Sequence, residues 1–470
     1  MPRYANLERG SWLYRRLIKN IDYPLLGSTA LLIIFSLITI GSATLEFSDS
    51  SIEKIQGMNI FLRLLRMDYY FVVRQVAWIF LGLLAAAALI YIDYEELSRY
   101  SRHLYIANLV MLLAVIFVGT SALGAQRWIY IGPFSFQPSE FSKLIIIITF
   151  ADFLTKRQGR LNSFRELIPC FIYIGIPMLL ILKQPDLGTS LVFLAIMFGM
   201  LFVAGARQAI LIGIIVLGVV MSLSVYEVHR VLHESDMGMK EKIAEVTRAV
   251  GGNDWSLRND EELRGDIQRR GYTLNTADLN NYLELLKKEH QPAQKRHELF
   301  HKFTLKEYQM TRLTIFMNPE SDLLGAGYHV WQSRIAIGSG GLTGKGLLKG
   351  TQSHYTFLPI RHTDFIFSVV GEEFGFVGVT VLLGLFYVLI YRGIRIVALA
   401  RDFYGTILAA GIVSMFAFHI VLNIGMTAGI MPVTGIPLPL FSYGGSNMIM
   451  NLAALGVLLN VYIRRQKLIF

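Results

Sequence analysis

The stretch Lys183–Gln208, KQPDLGTSLVFLAIMFGMLFVAGARQ, decides how the chain must be read. A charged cluster around a proline opens it, residues 187–206 carry no charge, and Arg207 closes it. An uncharged apolar run of about 17–25 residues is what a helix needs to cross a hydrocarbon core of about 30 Å. A buried strand would be only about 4–8 residues long, and a surface helix would show a polar face. The stretch therefore predicts a membrane span over 187–204, with Asp186 at its start.

The same pattern recurs along the chain. Apolar runs at 23–45, 71–92, 104–122, 138–154, 166–182, 187–204, 209–226, 364–390, 405–425 and 443–463 predict an all-α polytopic membrane protein of about ten transmembrane helices. Composition agrees: 53% of the 470 residues are hydrophobic and 17% are charged, against about 25% charged in soluble proteins. Mean hydropathy is +0.48. The single cysteine, Cys170, allows neither an intrachain disulfide nor a cysteine metal cluster. The net charge of +10 sits at span ends, where it sets orientation, and no aromatic-basic interleaving suggests a nucleic-acid groove. The run Tyr23–Leu45 is too long for a signal-peptide core of about 7–15 residues, so it reads as a retained first span.

Lys and Arg in the short loops set the expected topology. Arg99, Arg102, Lys156, Arg157, Arg160, Arg165, Arg207, Arg392, Arg395 and Arg401 fall in alternate loops. Arg3, Arg9, Arg15, Arg16 and Lys19 precede the first span, and Arg464, Arg465 and Lys467 follow the last. The positive-inside rule then puts both termini in the cytoplasm. The expected domains are helices 1–7 over 1–226, a polar extracytoplasmic insertion over 227–310, a membrane-packed extracytoplasmic loop over 311–363, and helices 8–10 over 364–470.

Four polar clusters fall at the outer ends of spans in this topology. They are Gly124–Trp128 with Gln137–Glu140 and Lys143, then Lys183–Thr189, then Arg361–Asp364, then Pro437–Gly445. A charge inside a span costs several kcal/mol, of order 2.5–3.5 at the centre, unless it is paired or wet. Glu140 and Lys143 are nonetheless spaced i, i+3 at the start of an apolar helix. Asp186 and Asp364 each open a span, where the helix dipole favours a carboxylate, although an aspartate there is often only a cap. A mouth holding Arg74, Arg127, Lys143, Lys183 and Arg361 beside these carboxylates suits an anionic lipid with phosphates in its headgroup.

Two further motifs carry less. Gly338–Gly346 resembles a P-loop, but Ser339 stands where the first glycine is required and Gly346 follows Lys345. A flexible loop over a substrate mouth is the expected role. His297-Glu298-Leu299-Phe300-His301 matches the zinc-protease pattern, yet no further ligand stands out, and an amphipathic helix is expected.

Taken together, GAQRW with QPSE, KQPDLGTS, NPESDLLGAGYHVWQS with IGSGG, GTQSHYTFLPIRHTDFIF with GEEFG, and TGIPLPLFSYGGS resemble the SEDS family of shape, elongation, division and sporulation proteins. Several of these are more similar to the elongation (RodA) branch than to FtsW. The resemblance implies a peptidoglycan glycosyltransferase that polymerises lipid II at the outer face of the bacterial cytoplasmic (inner) membrane. It also implies a class B penicillin-binding transpeptidase as partner, with other elongation-complex proteins. It assigns Asp364 as catalytic. It carries over Arg74, Arg127, Trp128, Gln137, Glu140, Lys143 and Asp186 as substrate-binding, and the four polar clusters add Lys183, Gln184, Thr189, Arg361, His362, Thr363, Ser442 and Tyr443 to the expected set. A divalent cation such as Mg2+ or Mn2+ near Asp364, Glu140 or Asp186 is compatible with that set. Ile360 departs from the family's usual glutamate, and the insertion at 227–305 is a second departure. The alternatives are a lipid II flippase or transporter, and a non-catalytic scaffold of the wall-synthesis complex.

Overall fold

The computed structural model describes residues 21–45, 69–122, 125–131, 134–251, 261–303, 307–317, 327–354 and 361–465. The basic N-terminal residues, Ile360, Lys467 and the NPESDLLGA stretch fall outside them, as do the side chains of His297 and His301. The chain divides into two compact units, one of 1–212 with 319–470 and the other of Gly213–Asn318.

In chain order the helices are α1 (Tyr23–Ala43), α2 (Tyr69–Tyr91), α3 (Tyr94–Arg99) and α4 (Ser101–Val118). Strands β1 (Thr120–Ala122), β2 (Ala125–Ile131) and β3 (Phe134–Phe136) follow. Next come α5 (Pro138–Thr155), α6 (Phe164–Lys183), α7 (Leu187–Val203) and α8 (Gln208–Val250). The second unit adds α9 (Glu261–Arg269), α10 (Thr276–Phe303) and α11 (Glu307–Met317). The first unit resumes with α12 (Tyr328–Ser339), α13 (Thr351–His354), α14 (Ile366–Leu399), α15 (Phe403–Thr427) and α16 (Gly445–Ile463). Each of the ten expected spans has its helix. Eight of those helices are long and apolar enough to cross a membrane by length and composition. The other two are α7, which is 17 residues long, and α5, which carries Glu140, Lys143 and Asp152. The protein is a polytopic all-α membrane protein. The segment between α4 and α5 also forms a small antiparallel sheet in the order β1-β2-β3.

Burial ranks the helices. In α16, 89% of the apolar window is buried within the protein, and α5 buries both apolar and polar positions around most of its circumference. These two, with α15, form the centre of the bundle. Contact between α2 and α16 depends on small residues: a Cβ on Gly456 would lie 2.6 Å from the Ala86 Cα, and one on Gly82 2.6 Å from Leu452 Cδ1. Such close approach is how membrane helices gain packing energy, because lipid removes the hydrophobic drive to associate.

Two polar layers cap the bundle. At the end holding Arg99, Lys156, Arg392 and Arg401, Asp152 accepts from Ser98 at 2.8 Å and Lys156 at 2.6 Å. Asp22 there receives the Arg392 guanidinium at 2.5 Å. The other end carries the predicted site. There α14 is broken at Gly375, whose φ of 61° and ψ of −158° suit only glycine. The groups freed by the break are satisfied by the Gly-rich loop that follows α12. Lys345 N and Gly346 N donate to the Glu372 and Glu373 carbonyls at 3.0 and 2.9 Å, while Phe376 N and Val377 N donate to the Gly341 and Leu342 carbonyls at 2.9 and 3.0 Å. Irregular backbone at membrane depth survives only where protein satisfies it in this way. The loop expected to be flexible is therefore stitched into a helix.

The second unit has its own core of Val246, Leu263, Ile267, Leu279, Tyr282 and Leu286. Tyr282 donates to Asp266 at 2.6 Å. That bond, helped by Arg270, holds the Asp266 carboxyl below the usual carboxylate range.

Candidate active site

The N-terminal turn of α5 supplies the most buried ionised groups of the site. Pro138 at its start has no N–H to leave unsatisfied, which suits the first turn. One turn on, the Lys143 ammonium lies 2.9 Å from both Glu140 carboxylate oxygens. Lys143 is 1% exposed and Glu140 4% exposed. A buried pair like this persists only when its remaining hydrogen-bonding capacity is met. The remaining partner is His419 of α15, whose Nε2 is 3.0 Å from Lys143 Nζ.

Asp186 is the N-cap of α7. It accepts from Thr189 N at 3.1 Å and Thr189 Oγ1 at 2.9 Å, and Ser139 Oγ and Gln137 Nε2 approach it at 3.4 and 3.5 Å. Arg127, from β2, donates to the Gln184 carbonyl at 3.1 Å and to the Pro185 carbonyl. The sheet thereby anchors the turn that carries Asp186. Arg127, Gln137, Glu140, Lys143, Asp186 and Thr189 line one cavity of ≈ 40 Å³, closed on the far side by His419 and Gly435–Pro437. That volume holds a few waters and is too small for a sugar ring.

The turn Arg361–Phe365 precedes α14 and is fixed from three sides. Arg361 is buried and donates to the Ala43 carbonyl at 2.5 Å. Ser442 Oγ donates to the Thr363 carbonyl at 2.6 Å, and Tyr443 N donates to the His362 carbonyl at 3.0 Å. The His362 ring packs against Phe71 and Tyr443, with centroids at 5.2 and 5.6 Å, and those two rings also meet each other. Burial, with Arg361 nearby, lowers its pKa. Asp364 is half-buried. Asn423, one turn beyond His419 on α15, donates to the Asp364 carbonyl at 2.9 Å and to the Ile436 carbonyl at 2.7 Å. Ile436 lines the cavity, so Asn423 joins the Asp364 turn to the cavity wall. Asp364 itself is not among the lining residues.

Other expected residues are placed differently. Lys183 is exposed on the last turn of α6. The Gln184 side chain turns inward and donates to the Leu112 carbonyl at 2.8 Å. Trp128 is half-buried on β2. Arg74 stacks over Tyr70, 5.0 Å from the ring centroid, and its neighbour Gln75 bonds the Ser442 carbonyl and Gly444 N, each at 3.3 Å. Ser442 and Arg361 serve the architecture of the turn. The described residues hold no group of three or more His, Cys, Asp or Glu suited to a metal. Glu140 is bound to Lys143 and Asp186 caps a helix, so these donors do not fit a divalent cation.

Sequence reasoning missed His419, Asn423, Gln75 and Glu372. The signal was present: each is a polar residue inside an apolar span, and such residues are rarely idle. The motif GEEFG contributes to the family resemblance, and the sequence alone gives it no role. In the structure Glu372 is fully buried and accepts from Lys345, from the amides of Thr351, Gln352 and Ser353 at 2.7, 2.9 and 3.0 Å, and from two hydroxyls.

A family model for cell cycle proteins, that of FtsW, RodA and SpoVE, matches residues 29–236 and 297–467. The chain belongs to this family. Peptidoglycan glycosyltransferase RodA of Treponema pallidum is 34% identical over 406 residues, covering 83% of this chain and 89% of that relative. Peptidoglycan glycosyltransferase MrdB of Escherichia coli K12 is 33% identical, covering 84% and 86%. Stage V sporulation protein E of Bacillus subtilis is 33% identical, covering 94% and 96%. A solved peptidoglycan synthase complex, described as coordinating polymerization and crosslinking, has a chain similar at TM-score 0.65 and 26% identity, covering 95% and 99%. Rod shape determining protein RodA of Thermus thermophilus is similar at TM-score 0.56 and 25% identity, covering 95% and 98%. The internal stretch that the FtsW/RodA/SpoVE model leaves unmatched, 237–296, lies within the second compact unit.

Proposed function

We propose that this FtsW/RodA/SpoVE protein is a peptidoglycan glycosyltransferase of the elongation branch. It polymerises lipid II at the outer face of the bacterial cytoplasmic membrane, with both termini cytoplasmic. The observation that carries the reading is the buried Glu140–Lys143 pair beneath a polar mouth, joined through Asn423 to the turn bearing Asp364. The short loops rich in Lys and Arg lie at the opposite bundle end, which supports the orientation.

Asp364 accepts the proton of the acceptor sugar hydroxyl as that oxygen attacks the donor anomeric carbon. The bond from the anomeric carbon to the diphosphate oxygen breaks, and undecaprenyl diphosphate leaves as an anion. The leaving group requires neutralising charge rather than a proton. Lys143 and Arg127 supply it in a site where fixed charges act strongly because water is scarce. Ammonium bonds to both oxygens of one carboxylate leave Lys143 able to release one of them to a phosphate oxygen. The partner is a class B penicillin-binding transpeptidase, which crosslinks the strands, and other elongation-complex proteins join it.

The test is D364N in purified protein supplied with lipid II, with and without chelator. General-base loss predicts a fall in turnover of about 10²–10⁴-fold, with the protein still monodisperse. Turnover near the wild-type rate would remove Asp364 from the mechanism, and absent turnover by the folded wild-type protein would favour a scaffold. A chelator that abolishes wild-type turnover would reinstate a metal.

A further inference from the structure

We propose that His419 is a positioning residue for Lys143: a neutral imidazole that takes one ammonium N–H and so fixes where the charge stands under the cavity. The inference rests on the glycosyltransferase reading, because it says how that site holds its cation. His419 is fully buried and lines the cavity. Its Nδ1 lies 2.7 Å from the Met415 carbonyl oxygen. A carbonyl oxygen only accepts, so Nδ1 carries the hydrogen. Its Nε2 lies 3.0 Å from Lys143 Nζ. An ammonium only donates, so Nε2 is the bare acceptor. The ring is therefore the neutral Nδ1–H tautomer, set by the α15 backbone one turn back.

An ammonium has three N–H groups and no acceptor. Glu140 oxygens take two at 2.9 Å each, and His419 takes the third. Glu140 sits on the same helix as Lys143, three residues away, so that pair alone permits the lysine to swing along its own helix. His419 comes from a different helix. It ties the ammonium across the cavity to α15, the helix that also carries Asn423 and so contacts the Asp364 turn. Misplacement of a charge by about 1 Å can cost about 10²-fold in rate.

Amide side chains separate the two ring nitrogens. Glutamine places an amide oxygen near Nε2 and keeps an acceptor for Lys143, whereas asparagine reaches only the Nδ1 position and the Met415 carbonyl. The experiment compares H419Q, H419N, H419A, K143A and H419A/K143A in the purified full chain, with lipid II turnover and thermal unfolding as readouts. We expect kcat to fall about 10²-fold in H419A and H419N. We expect H419Q to stay within about threefold of wild type, and the double variant to be no slower than K143A alone, as a shared pathway requires. Effects of H419A and K143A that multiply, or H419Q as slow as H419N, would overturn the proposal and leave His419 a packing residue. If H419A fails to fold, the contrast between H419Q and H419N decides alone. K143A at the wild-type rate would overturn the role of Lys143 itself, and with it any need to position it, while D364N would still test the catalytic base.

Discussion

Glu140 and Lys143 show how one pair of residues links stability to chemistry. Removing one partner of a buried ion pair strands the other, at a cost of about 3–5 kcal/mol. E140A is therefore expected to lower unfolding stability by about that much, and E140A/K143M to recover much of the loss because no charge is left unpaired. Unfolding midpoints in one detergent check this; a double variant as unstable as E140A would contradict it. The sequence made this pair legible because two charges interrupt an otherwise apolar helix start. His419 was harder to see. It lies in an apolar span far from Lys143 in sequence, and only the folded bundle brings it to 3.0 Å from Lys143. Asp186 and Arg361, both expected to contact substrate, also hold the fold: Asp186 caps α7, and Arg361 donates to the Ala43 carbonyl at the end of α1.

Among the elements, α14 departs most from its sequence pattern. Hydropathy reads it as one continuous span, because a break at a single glycine hardly changes an average over many residues. The Gly338–Gly346 run was legible as unusual, but its docking depends on groups freed by that break. A Cβ on Gly375 would sit 2.3 Å from Gly344 N and 2.8 Å from the Leu342 carbonyl oxygen. G375A is accordingly expected to dislodge the loop, destabilising the protein by at least the ~1–3 kcal/mol typical of backbone strain. Faster proteolysis within 340–353 would report it, and an unchanged cleavage rate would show that the break tolerates a side chain. Glu372 belongs to the same device. Its carboxylate gathers the α13 amides and Lys345, so E372Q, which turns one acceptor oxygen into a donor, should open the same segment.

For the whole molecule, ten apolar runs were enough to anticipate a helix for each, since membrane thickness sets the least length of an apolar run, although α8 and α14 extend well past theirs. The second unit was less legible because its stretch beyond residue 226 is polar, and its core is built from side chains on separate helices. Its stability should depend on acid. The Asp266 carboxyl, lowered by the Tyr282 hydroxyl and Arg270, contributes fully above its unfolded pKa of about 3.9. That contribution disappears as pH falls through the lower folded value. Y282F removes a hydrogen bond to a charged group, worth about 1.5–3 kcal/mol, and flattens this acid dependence. Hydrogen exchange over 263–286, corrected for intrinsic rates, measures both; equal protection in Y282F and wild type would refute it. The central claim concerns the complete bundle: that it makes a glycosidic bond by itself. The most direct measurement incubates the purified chain, free of any other polymerase, with lipid II and resolves the products by length. Glycan oligomers that lengthen with time are predicted, and unconsumed lipid II with a folded protein would contradict the account.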